Sequence, residues 1–141
     1  MQYARKSNGM QLKHVLFLFL VVMPLIAHAK WQRVASDDTG MTVSYIDIST
    51  IRKEGSIVKA WVLLDLKTPS FSDGKPYLSS KVQFSFYCAT EAYAYLYVGH
   101  YARGMGSGIM VFSGRGTGNT YPIIPESLMS RVFSVACYPN R

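Results

Sequence analysis

Apolar and polar residues alternate with a period of two along most of this chain, a pattern that predicts β-strands with one buried face. The clearest case is Lys81–Cys88, where Val82, Phe84 and Phe86 share one side with Cys88. Ile57–Leu66 has a wholly apolar even side and a mixed odd side. We predict strands at Met41–Asp47, Ile57–Leu66, Lys81–Cys88, around Tyr93–Tyr101 and at Ile109–Phe112.

Short polar and glycine-rich segments separate these runs and predict turns. Asp47–Lys53 has the composition of a tight turn, Pro69–Pro76 that of a turn cluster with Asp73-Gly74 at its tip, and Gly114–Asn119 that of a loop. Gly104–Gly108 resembles a phosphate-binding loop only superficially, because it lacks the Gly-Lys-Ser/Thr ending. We interpret it as a bend or bulge between two strands.

The last segment changes period from two to between three and four, which predicts an amphipathic helix of about three turns. Pro125 suits the first turn of a helix, where its missing N–H costs nothing, and Glu126 suits the positive end of the helix dipole. Together these patterns predict an α+β domain: one antiparallel sheet of about five or six strands with a C-terminal helix packed on one face. The apolar stripe comprises Leu128, Met129, Val132, Phe133 and Ala136.

The N-terminal segment has the order of regions found in a secretory signal peptide. Three basic residues within the first 13 positions precede the apolar run Val15–Ala27, and Ala27-His28-Ala29 follows as a small-x-small cleavage site. The run is shorter than the ~20 residues that a membrane-spanning helix needs. We therefore predict that residues 1–29 are removed on export, and that residues 30–141 form one domain without a membrane anchor, in the periplasm, secreted or at the cell surface.

The two cysteines of the sequence, Cys88 and Cys137, would lie in an oxidising compartment after export, and an even pair there predicts a disulfide. Cys88 shares its side with apolar strand residues, and Cys137 follows the apolar stripe of the helix. A bond between them would clamp the helix onto the core face of the sheet.

The net charge and the candidate catalytic and metal-ligating residues argue against several classes of function. The whole chain carries a formal charge of +7, and residues 30–141 retain 12 Lys and Arg against 8 Asp and Glu. No basic stripe of the kind that binds nucleic acid is present. His100 is interpreted as structural, Asp37 and Asp38 as a solvated turn, and no cluster has metal-ligand spacing. We expect no catalytic activity, no metal, no cofactor and no nucleic-acid partner.

Four tyrosines in one segment give the best indication of a binding site. Tyr93, Tyr95, Tyr97 and Tyr101 fall on one parity, which predicts an aromatic stripe on the face opposite the helix. Tyrosine and tryptophan are enriched at interfaces, but tyrosine is also a good strand former. The stripe is therefore either a surface for a protein ligand or a second copy of the chain, or ordinary strand chemistry. Strand register would decide whether Trp61, Tyr87, Lys59 and Lys81 join it.

A series of motifs follows along the chain in this order: Trp31, Tyr45-Ile46-Asp47, Ser49-Thr50-Ile51, Trp61, Asp65, Ser79-Ser80-Lys81, Tyr87-Cys88, Gly106, Gly108, Ile124-Pro125-Glu126-Ser127 and Val135-Ala136-Cys137. Taken together, these motifs resemble the bacterial surface-adhesin protein E family. The resemblance implies an antiparallel sheet with a C-terminal helix tied by one disulfide, and a dimeric adhesin that binds host matrix and serum proteins. A lipid anchor is not expected, because Lys30 stands where a lipidated cysteine would be needed.

Two functions follow as hypotheses. The first is an exported, non-catalytic binding protein of the adhesin type. The alternative is a soluble periplasmic structural or inhibitor-like domain that acts on the cell's own envelope. Should the tyrosine stripe prove structural, the Pro69–Pro76 and Gly114–Asn119 loops are the next candidate binding sites.

Overall fold

An antiparallel meander makes up most of the described residues, because the first six strands lie side by side in chain order, each hydrogen-bonded to the next. The computed structural model describes residues 30–139, so the predicted signal peptide lies outside the described residues. A short strand, β7, pairs with β5 beyond the end of β6. The elements are β1 Trp31–Ser36, β2 Thr42–Glu54, β3 Ile57–Ser72, β4 Lys75–Tyr87, β5 Ala92–Tyr101, a 3₁₀ turn Gly104–Gly106, β6 Met110–Arg115, β7 Thr120–Pro122 and α1 Leu128–Cys137.

The predicted fold class is confirmed: one antiparallel sheet carries a C-terminal helix, and Cys88 is bonded to Cys137. The described residues form seven strands. The sequence patterns did not indicate β1 and β7. β7 has only three residues, and the register of β1 shifts between Arg33 and Ala35, which interrupts its alternation.

The hydrophobic core lies between α1 and the face of the sheet that carries it, here called the helix face. Phe84 and Phe86 of β4 are fully buried there, and Phe133 of α1 packs edge-on against Phe86 with ring centroids 6.1 Å apart. Val132 and Ala136 complete the buried stripe of the helix. The periodicity of three to four residues in the sequence therefore predicted correctly which side of the helix faces the core.

The helix begins later than the sequence pattern predicts. Ser127 is the N-cap, and its hydroxyl oxygen accepts a hydrogen bond from the Ser130 N–H at 3.1 Å. The preceding Glu126 has a φ of +62°, which is not helical. The placement of Pro125 and Glu126 in the first helical turn was wrong, because a serine that can accept a backbone hydrogen bond favours the cap position.

The predicted tight turn at Asp47–Lys53 is instead an irregular stretch of β2. The β2–β3 ladder breaks after Asp47 and resumes at Arg52, and the chain reverses two residues beyond Lys53, at Gly55. Within the break, the Asp47 carboxylate accepts hydrogen bonds from the Ser49 N–H at 3.0 Å and the Ser49 hydroxyl at 2.6 Å. These residues do form the local hydrogen bonds between side chain and backbone that are typical of turns. Here the bonds stabilise a bulge in the strand rather than a reversal of the chain.

One predicted turn cluster is largely strand, and one predicted loop is shorter than its predicted bounds. Pro69–Pro76 lies mostly within β3 and β4, and only Asp73-Gly74 turns, with positive φ at both residues as in a type I′ hairpin turn. The hairpin end formed by Pro69–Pro76, here called the β3–β4 arm, extends beyond β5, because the pairing of β4 with β5 begins only at Ser79. In the Gly114–Asn119 segment, β6 continues to Arg115 before the chain turns into β7.

Candidate functional site: an aromatic and cationic open face

A β-bulge in β5 divides the four-tyrosine stripe between the two faces of the sheet. Tyr95 pairs with Phe84 of β4 while Tyr97 pairs with the adjacent Gln83, so Leu96 is an extra residue. A single extra residue reverses the side on which each following side chain points. The prediction of one face for all four tyrosines was therefore wrong.

Tyr93 and Tyr95 lie on the helix face and pack against the core. The ring of Tyr95 lies 5.1 Å from that of Phe84 and 5.6 Å from that of Tyr93. Tyr121 of β7 packs 5.7 Å from Tyr95 on its other side. Desolvation, together with the hydrogen bond and charge of Tyr93, raises the pKa of Tyr95 to about 12. These two side chains contribute to packing and are not part of the surface opposite the helix.

Tyr97 and Tyr101 do lie on the surface opposite the helix, here called the open face. The ring of Tyr97 meets Trp61 of β3 in an edge contact with a centroid distance of 5.7 Å. The Lys81 ammonium lies 4.8 Å from the centroid of the Tyr101 ring, a cation–π contact. Gly99 lies between the two tyrosines, and a Cβ there would be 3.5 Å from both rings. Strand register therefore brings Trp61 and Lys81 to these tyrosines.

A groove of about 580 Å³ runs across this cluster. Arg115 of β6, which is directly opposite Tyr97 in the β5–β6 ladder, lines it. Sequence reasoning missed Arg115 because the residue was assigned to a loop. The alternation of Phe112 and Gly114 with Ser113 and Arg115 could have extended the predicted strand far enough to include it. The lining residues are Trp61, Gln83, Leu96, Tyr97, Tyr101 and Arg115.

The remaining predicted residues of the stripe, Lys59 and Tyr87, lie on the same face but outside the groove. Lys59 pairs in register with Ser85, two residues from Tyr87 on β4. Its ammonium is 3.3 Å from the Glu54 carboxylate, so its charge is matched locally. The structure thus brings together Trp61, Lys81, Tyr97 and Tyr101, and leaves Lys59 and Tyr87 beside them.

The glycine-rich segment between β5 and β6 folds over one end of the open face and is held there by β3 and β4. The Asp65 carboxylate accepts a hydrogen bond from the Met105 N–H at 2.6 Å, and the Ser79 hydroxyl accepts one from the Gly106 N–H at 2.8 Å. Ser79 donates to the Arg103 carbonyl oxygen at 2.5 Å. Gly106 has a φ of +65°, and its Cα lies against the Lys81 side chain. This loop borders the aromatic cluster through Lys81.

We expect Asp65→Ala to release this loop. The substitution removes a charged acceptor, and hydrogen bonds to charged groups contribute ~1.5–3 kcal/mol. Amide hydrogen exchange at residues 103–108 should accelerate at least about tenfold, which corresponds to ~1.4 kcal/mol of local opening free energy. Asp38→Ala, in the exposed β1–β2 turn, is the control and should leave exchange there unchanged. Unchanged exchange in Asp65→Ala would show that Asp65 does not hold the loop.

His100 and Asp37 have structural roles. The His100 ring stacks on Tyr77 with centroids 4.1 Å apart, and its Nδ1 lies 2.8 Å from the Ser80 hydroxyl. Desolvation lowers the pKa of His100. The Asp37 carboxylate accepts hydrogen bonds from the N–H groups of Met41 and Thr42 and so closes the β1–β2 turn.

Residues 30–139 lack two other kinds of feature, a metal-binding cluster and a membrane-spanning helix. No group of three or more His, Cys, Asp or Glu side chains is placed to hold a metal ion. In the same residues, no helix has both the length and the apolar character needed to cross a membrane.

The sequence of residues 31–138 matches the profile of the family described as surface-adhesin protein E. The chain belongs to the surface-adhesin protein E family. This match spans every strand and the helix, so the family assignment covers the whole described domain. No curated protein sequence matches the chain significantly.

Solved structures of Haemophilus influenzae protein E share the fold. One superposes with a TM-score of 0.60 at 15% sequence identity, covering 83% of this chain and 90% of that one. A second crystal form gives a TM-score of 0.61 at 15% identity, over 83% of this chain and 94% of that one. Protein E from non-typeable H. influenzae gives 0.53 at 14% identity, over 83% and 81%. At this identity the likeness supports the architecture and does not transfer individual binding residues.

Proposed function

We propose that this protein is an exported, non-catalytic adhesin that binds a host matrix or serum protein through the open face. Membership of a surface-adhesin family supports the binding class. The structural observation that carries the proposal is the cluster of Trp61, Tyr97, Tyr101 and Lys81 on the side of the sheet that α1 does not cover.

The composition of this cluster fits a protein-binding surface. Tryptophan, tyrosine and arginine are the residue types that most often dominate binding energy at protein interfaces. Trp61 and Tyr97 are only half-buried, so a partner could remove much of their remaining surface from water. Gly99, beneath the tyrosine rings, is buried, which supports the rings from below and limits their freedom before a partner binds.

We expect Trp61→Ala and Tyr97→Ser each to reduce binding of the purified domain to immobilised basement-membrane extract and to serum proteins. Truncating a central aromatic residue at an interface typically costs ~2 kcal/mol or more, so binding should weaken about thirtyfold. Surface plasmon resonance measures the change. The matched control is Tyr121→Ser, which removes a tyrosine that is 40% exposed on the helix face and should leave binding unchanged.

Equal losses in Tyr97→Ser and Tyr121→Ser would contradict a site on the open face. Protease accessibility on intact cells then separates surface display from the periplasmic alternative. Sedimentation of the same variants tests self-association: a homodimer that uses the open face should dissociate in Trp61→Ala and Tyr97→Ser but persist in Tyr121→Ser.

A further inference from the structure

Two cations at the groove on the open face have no partner carboxylate in the part of the chain that the structure describes: Arg115 lines the groove, and Lys81 lies beside it over the Tyr101 ring. Within residues 30–139, the ion pair of Lys59 with Glu54 is the only one, and it lies outside the groove. Lys81 and Arg115 therefore have no carboxylate of the described residues within 4.0 Å. Arg115 is exposed, whereas Lys81 is half-buried over the Tyr101 ring.

The carboxylates on the same face already have partners. Glu54 pairs with Lys59, and Asp47, which is opposite Trp61 in register, accepts hydrogen bonds from Ser49. Asp65 accepts the Met105 N–H. The acidic oxygens of the open face are thus already engaged, by Lys59 or by hydrogen-bond donors. Lys81 and Arg115 are the charged groups left to contact a ligand at the groove, and carboxylates on that ligand would complement them.

The aromatic geometry favours a protein segment over a sugar. A sugar ring stacks flat on the face of an aromatic ring, but Trp61 and Tyr97 meet at 64° and present an angled apolar surface. The Tyr101 face is occupied by the Lys81 ammonium. An angled pair of rings accommodates an inserted side chain, and the Gln83 amide at the groove can both donate to and accept from a peptide backbone.

We propose that the groove binds an acidic protein segment in which an apolar or aromatic side chain lies between carboxylates. The central side chain packs against Trp61 and Tyr97, and flanking carboxylates contact Arg115 and Lys81. This inference rests on the proposed function, because it specifies the chemistry of the partner that the open face binds.

A fluorescein-labelled random copolymer of glutamate and tyrosine is the probe, and fluorescence anisotropy measures its binding to the full domain. We expect saturable binding that weakens as salt increases. Arg115→Gln and Lys81→Gln should each weaken binding about fivefold, the upper range for one partly exposed ion pair. Lys75→Gln, at the exposed tip of the β3–β4 arm, removes the same charge away from the groove and should have no effect. Arg115→Lys should largely restore binding.

Three results would overturn the inference: no binding of the copolymer, equal weakening by Lys75→Gln and Arg115→Gln, or tighter binding of heparin that depends on the same two cations. The last result would assign the groove to an anionic glycan. Melting temperatures verify that each variant is folded.

If the copolymer fails to bind while matrix binding still requires Trp61, only this inference fails. If the copolymer binds through Arg115 while matrix binding is unaffected by Trp61→Ala and Tyr97→Ser, the proposed function fails instead.

Discussion

Removal of the disulfide should lower the stability of the domain more than any surface substitution. The Cys88–Cys137 bond closes a loop with a sequence separation of 49, and the chain-entropy description assigns about 4 kcal/mol to a loop of that size. Cys137 also ends the helix at the core, where it is 9% exposed, so the bond fixes α1 directly onto the sheet. For a domain of this size, such a loss lowers the melting temperature by roughly 15 °C.

The double variant Cys88→Ala/Cys137→Ala tests this by thermal denaturation followed by circular dichroism. Reduced wild-type protein is the matched control, because it loses the bond but keeps both sulfur atoms. The two should melt at similar temperatures, well below that of the oxidised protein. A melting temperature that is unchanged in the double variant would contradict the stabilising role, and two alkylatable thiols in native exported protein would contradict the bond itself.

Tyr95→Ser and Tyr97→Ser should differ strongly in stability, although the two residues are two positions apart in the same strand. Tyr95 packs against Phe84 and Tyr121 on the helix face. Loss of a fully buried aromatic costs ~3–5 kcal/mol, so we expect ~2–3 kcal/mol for this half-buried ring. Among residues 30–139, Tyr97 has one aromatic contact, with Trp61, and such a pair contributes ~0.5–1.5 kcal/mol.

Urea denaturation measures both free energies of unfolding. Tyr95→Phe is the conservative control: it preserves the ring and should retain most of the stability. A larger loss for Tyr97→Ser than for Tyr95→Ser would place Tyr97 in the core and contradict the bulge at Leu96.

Local patterns in the sequence predicted the elements well, because strand and helix periods depend on neighbouring residues. The apolar sides of Ile57–Leu66 and Lys81–Cys88 became the core, and the Cys88–Cys137 bond formed between the helix and that core. Asp73-Gly74 turned as predicted because both residues tolerate positive φ.

The candidate site was less predictable, because it depends on pairing between distant strands. The bulge at Leu96 exists only relative to the partners of its neighbours on β4, Phe84 and Gln83, and nothing in the Tyr93–Tyr101 alternation signals it. Arg115 was missed for the same reason, because its place in the groove follows from its register with Tyr97 on a neighbouring strand. Trp61 and Lys81 were identified from their parity. That inference held because no register shift interrupts the pairing of β3 with β4 around these two residues.

Hydroxyl-radical footprinting of the domain, free and bound to immobilised basement-membrane extract, tests the open-face account most directly, because it reports the protection of each aromatic side chain. The account predicts that binding protects Trp61, Tyr97 and Tyr101 and leaves Tyr121 on the helix face as reactive as in the free protein. Protection of Tyr121 with unchanged reactivity of Trp61 and Tyr97 would contradict it.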